Sequence, residues 1–74
     1  MRTEDKFLNA WEKLAHFLNN HNKPIWLVAV GDDYHLTVIK PTKETIQRGT
    51  AAIQYEMING DIVETQRIVN FEGL

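Results

Sequence analysis

The chain contains no cysteine and no serine. The first absence rules out disulfides and thiolate-bound zinc, and the two together rule out nucleophilic catalysis by either side chain. No glycine-rich phosphate loop is present either. A chain of 74 residues makes one small domain, and such a domain buries only about 60–65% of the surface its unfolded form exposes. With disulfide and zinc excluded, self-association is the remaining common source of added stability.

A long apolar run is also missing. The opening MRTEDKFLNAWEKL mixes acids and bases at every turn and lacks the stretch of about 7–15 apolar residues that a signal peptide needs. The sequence therefore reads as a cytoplasmic protein with no membrane partner. Lys and Arg number 8 against 10 Asp and Glu, net −2, and the basic residues are scattered from Arg2 to Arg67. Nucleic-acid binding calls for concentrated positive charge, so it is disfavoured.

What the sequence does have is periodicity. Phe7, Trp11, Leu14 and Leu18 recur at helical spacing, with Asp5, Asn9, Glu12, Lys13, His16 and Asn20 opposite, which predicts an amphipathic helix over 4–20. Thr3 suits an N-cap, and Asn19-Asn20-His21-Asn22 before Pro24 supplies the stop. On a helical wheel the apolar arc spans about 180°, wider than one sheet face usually covers. Either the helix sits deep under a loop, or part of the arc meets another subunit.

Residues 24–40, PIWLVAVGDDYHLTVIK, place two β-rich runs around a Gly-Asp-Asp breaker and predict a hairpin. A three-residue loop at 31–33 would pair Val30 with Tyr34, Val28 with Leu36 and Trp26 with Val38, all apolar. Ile25, Leu27, Ala29, His35, Thr37 and Ile39 then share the other face. Thr42 can cap a short helical turn over 43–47 ending at Gly49, with a helix running on to Met57 as the alternative. Strict alternation over Ala51–Met57 followed by Asn59-Gly60 favours a second hairpin instead. Its register is open between a three-residue loop, which sets Ile53 opposite Arg67 and Ala51 opposite Val69, and a two-residue turn, which sets Tyr55 opposite Glu64.

The expected architecture is a single α+β domain over residues 1–74: an N-terminal helix packed on a four-stranded antiparallel sheet made of two hairpins. In the three-residue register, Ile25, Leu27, Ala29, Ile39, Ile62 and Ile68 would form an uncovered apolar face, large enough to demand a partner. That motivates a homodimer, with Trp11, Phe17, Ile25, Leu27 and Ile39 as interface candidates.

Asp32, Asp33 and His35 are the one constellation with ligand chemistry. The Gly31-Asp32-Asp33 triplet superficially resembles that of viral RNA polymerases, but the match covers three residues and those enzymes need a domain several times this length. Turn chemistry accounts for it: glycine supplies positive φ, and aspartate bonds its own backbone. His16 and His21 are five apart and cannot chelate from one helix face. Trp11, Trp26, Tyr34 and Tyr55 would suit a stacking platform beside basic residues, but Trp26 and Tyr34 flank Asp32 and Asp33, which repel phosphate, so core or interface packing is favoured.

The expected function is that of a small non-enzymatic protein-interaction or regulatory module, homodimeric, docking on a larger protein, as bacterial and phage accessory proteins of this size commonly do. No cofactor, metal or catalytic residue is expected. The competing class is a small-ligand or metal-binding domain built on Asp32, Asp33 and His35.

Overall fold

A computed structural model describes residues 3–42, 44–46 and 49–70, leaving aside the side chains of residues 3 and 4. The element order is α1 (Thr3–Asn20), β1 (Ile25–Val30), β2 (Asp33–Thr37), β3 (Thr50–Ile58) and β4 (Asp61–Asn70). The strands form one antiparallel sheet in the order β2-β1-β3-β4. This is the expected α+β fold. The expected cap at Thr3 and the tail over 71–74 lie outside what is described.

β1 is the central hydrophobic strand, IWLVAV, buried on both faces over Ile25–Val28. On one face Ile25 and Leu27 pack with Ala10, Leu14 and Leu18 of α1. On the other Trp26 and Val28 pack with Ala52, Ile46 and Ile68. Leu14 at 0% exposed and Trp26 at 1% are the two largest fully buried side chains, one anchoring each layer. The helix stops where the sequence says it should: the His21 N–H closes the final turn on the Phe17 carbonyl at 2.8 Å, and the Asn20 side-chain amide donates to the His16 carbonyl at 2.7 Å.

The first hairpin differs from expectation by one residue. Its loop is Gly31-Asp32, with Val30 opposite Asp33, Val28 opposite His35 and Leu27 opposite Leu36. Gly31 has φ +60° while Asp32 does not take positive φ, the pattern of a type II′ turn, whose twist matches its flanking strands. A one-residue change in loop length moves every side chain of β2 to the opposite face. Tyr34 and Leu36 therefore join Ile25 and Leu27 beneath the helix, and His35 and Thr37 lie on the side of Trp26. The expected uncovered face is corrected accordingly: Ile25 and Leu27 are core, and Ile62 packs with them. Matching apolar residues across the strands favoured the wrong register because both faces of β1 are apolar.

In the second hairpin, both registers left open by the sequence occur, one at each end. Next to the turn, Ile58 lies opposite Asp61, Met57 opposite Ile62 and Tyr55 opposite Glu64; beyond it Gln54 meets Gln66, Ile53 meets Arg67 and Ala51 meets Val69. Asn59 at φ 52° and Gly60 at φ 85° make the type I′ turn. Thr65 is the extra residue of a β-bulge, and its hydroxyl donates to the Gln54 side-chain oxygen at 3.1 Å. A bulge sets two residues against one and shifts all that follows by one position.

The β2–β3 connection covers the second face. Thr45 N–H donates to the Thr42 carbonyl at 3.1 Å and Thr42 N–H to the Thr45 hydroxyl at 2.9 Å, closing a turn; Lys43, Gln47 and Arg48 of the expected helical segment lie outside the described residues. The buried Asn70 amide donates to the Ile46 carbonyl at 3.0 Å, tying this connection to the end of β4 and holding Ile46 over Trp26. The strand, not the alternative helix, runs to Ile58.

Leu14→Ala should cost about 3–5 kcal/mol, because it removes a fully buried side chain and leaves a cavity between α1 and β1. Urea denaturation followed by circular dichroism measures this.

Candidate functional site

β2 and β4 are the edges of the sheet, so each presents main-chain donors and acceptors on a side where no described strand pairs with them. Beside β2 runs α1, and between them lies a groove of about 350 Å³ whose walls include Lys6, Asn9, Lys13, Asp33, Tyr34 and Leu36. Lys6, Asn9 and Lys13 face it together because residues three, four and seven apart share a helix face.

Lys6 reaches Asp33 at 3.1 Å, and both side chains are solvent-accessible; pairs of this kind contribute up to about 1 kcal/mol. Lys13 has no ion-pair partner among the described residues. Among the described residues, the groove therefore sets one paired lysine, Lys6, and one lysine without a described ion-pair partner, Lys13, beside an edge with which no described strand pairs.

Of the residues singled out by sequence, Asp33 and His35 both line the α1–β2 groove. Asp32 is exposed in the loop, Asp33 is held by Lys6, and His35 is exposed opposite Val28. Among the described residues, no three His, Asp or Glu side chains group closely enough to hold a metal ion. His16 is engaged by Asn20, and His21 stacks on Phe17 with centroids 4.7 Å apart. Of the interface candidates, Ile25 and Leu27 are withdrawn into the core at 4% and 5% exposed, whereas Ile39 is 75% exposed. Trp11 and Phe17 are half-buried against that same core.

The aromatics pack among themselves. Phe7 meets Tyr34 edge-on at 5.4 Å and Trp11 meets Tyr55 at 5.1 Å and 88°, geometries that favour aromatic pairs. Trp26 is buried on the other side of the sheet, so the four rings share no platform. Burial pushes the Tyr55 phenol above its usual pKa, with Glu64 adding to the effect and Arg67 opposing it.

Comparison with known protein families, with curated proteins and with solved structures found no match. No described helix is long and apolar enough to cross a membrane. What the chain does must be read from its own surfaces. Sequence reasoning missed the α1–β2 groove because it depends on Lys6 and Lys13 meeting a strand whose position follows from sheet order; the shared helix face of the two lysines was the only signal for it.

Replacing Asp32, Asp33 and His35 together with alanine should leave the chain folded and lower its stability by no more than about 1–2 kcal/mol, the loss of an exposed ion pair and turn chemistry; thermal denaturation tests this. A pH effect is expected from Tyr55. Its raised pKa means the folded state holds the phenolic proton more tightly, so the stabilisation is complete below pH 10 and disappears as pH rises through the raised value. Absorbance titration at about 295 nm should show a late ionising step that Tyr55→Phe removes.

Proposed function

We propose that this chain is a non-enzymatic protein-interaction module, acting as a cytoplasmic homodimer, that takes an extended acidic segment of a larger protein along the outer edge of β2. The observation that carries this reading is the α1–β2 groove: an open strand edge with Lys6 and Lys13 aligned above it. An added strand gains affinity from main-chain hydrogen bonds, and side-chain pockets give it specificity. Here Lys13 selects carboxylates, and the apolar stems of both lysines cover the incoming backbone.

Homodimerisation is supported by the second edge. β4 is ten residues long, and Val63 and Val69 on it are exposed. Exposed edges of this length template pairing with another chain. Two edges allow the two roles to be separate.

A fluorescent eight-residue peptide alternating Glu and Val should bind saturably at low salt, weaken as salt screens the groove, and weaken at least tenfold with Lys13→Glu. Anisotropy titration reads all three. Equal binding of an otherwise identical Lys and Val peptide, or an unchanged affinity with Lys13→Glu, would overturn the groove reading.

A further inference from the structure

The β4 sequence, DIVETQRIVN, is self-complementary when read outward from its centre. Thr65 is matched by Gln66, Glu64 by Arg67, Val63 by Ile68 and Ile62 by Val69: polar with polar, acid with base, and aliphatic with aliphatic twice. An antiparallel strand meeting its own copy about a two-fold axis would set these residues opposite one another.

In a regular strand that alignment is forbidden. Opposed residues in an antiparallel pair share a face, and in a regular strand residues of unlike parity lie on different faces. Glu64 and Arg67 differ in parity, as do the other matched pairs. The bulge at Thr65 removes the obstacle. Through their partners on β3, Ile62, Glu64, Arg67 and Val69 all lie on the helix side of the sheet, with Met57, Tyr55, Ile53 and Ala51. Val63, Gln66 and Ile68 lie on the other side, opposite Glu56, Gln54 and Ala52. Glu64 with Arg67, Val63 with Ile68 and Ile62 with Val69 therefore each fall on a single face, and Thr65, whose hydroxyl reaches the Gln54 side chain, lies on the side of Gln66.

We infer that two copies of this chain join through β4, antiparallel about a two-fold axis normal to the sheet, with Glu64 of each opposite Arg67 of the other. The result is one eight-stranded sheet, four strands from each copy. Within one copy Glu64 and Arg67 already form an ion pair at 2.7 Å across the bulge. In the dimer two such pairs close into a ring of four alternating charges at the two-fold axis, flanked by Ile62 with Val69 and Val63 with Ile68. Shifting the register by one residue either way separates the faces, and shifting it by two sets Ile62 against Arg67 or Glu64 against Val69. The charges thus act mainly on register and partner choice. Helix α1 lies over β1 and β2, away from this edge.

The inference rests on the homodimeric part of the proposed function and is independent of the β2 groove. Its test is a charge exchange read by sedimentation equilibrium at about 50 μM, a concentration where interfaces of micromolar affinity are populated. The native chain should sediment at twice the 8.6 kDa of one copy. Arg67→Glu gathers four acids at the axis and Glu64→Arg gathers four bases, so each variant alone should self-associate at least tenfold more weakly. An equimolar mixture restores acid opposite base at every position and should recover the dimer. Both side chains are exposed, and circular dichroism with urea titration checks that each variant is folded. A monomeric native chain would overturn both the inference and homodimerisation. Two variants that stay dimeric, or a mixture that fails to recover, would overturn the β4 register alone. Binding of the acidic peptide, measured on the same samples, reports separately on the groove.

Discussion

The structure depends on one strand being buried on both faces. β1 has β2 on one side and β3 on the other, so its backbone is satisfied within the sheet, and its side chains are left to join two separate apolar layers. Ile25 and Leu27 hold α1 through Leu14 and Leu18. Trp26 and Val28 hold the β2–β3 connection through Ile46. A chain this short has little apolar material to bury, and concentrating it on a six-residue central strand lets both layers use the same backbone.

The rest of the arrangement follows from three local backbone features. A type II′ turn at Gly31-Asp32 sends Tyr34 and Leu36 toward the helix, a type I′ turn at Asn59-Gly60 starts the second hairpin, and the bulge at Thr65 exchanges the faces of β4 halfway along. Each is a matter of one residue. Together they decide which side chains are core and which are surface, because strand side chains alternate with a period of two. The bulge also explains how a hairpin can satisfy Met57 with Ile62 near the turn and still set Ala51 against Val69 at its far end.

No described strand pairs with the outer side of β2 or of β4, and the two edges differ in kind. β2 is short and lies beside the lysines of α1, so an incoming strand there meets positive charge. β4 is long and carries acid and base in equal measure at its centre, so an incoming strand there is best matched by its own sequence. Exposed charge contributes little to stability, but placed along an open edge it discriminates between partners.

The fold class, the helix, its end and the existence of two hairpins were legible because they rest on periodicity and on turn residues close in sequence. Phe7, Leu14 and Leu18 announce the helix, and Asn59-Gly60 announces the second turn. The first register was not legible: Ile25 and Leu27 look as ready for an open face as for a core when every residue from Ile25 to Val30 is apolar. Nor was the bulge, since Thr65 gives no local sign that two residues will oppose one. The candidate groove was not read from the sequence, because its second wall depends on the placement of β2 beside Lys6 and Lys13. The sequence by itself determined which segments become helix or strand, because those preferences act over a few neighbouring residues. Only the tertiary structure decided strand order, the faces of β2 and β4 and the two open edges, because these depend on contacts between residues far apart in the chain.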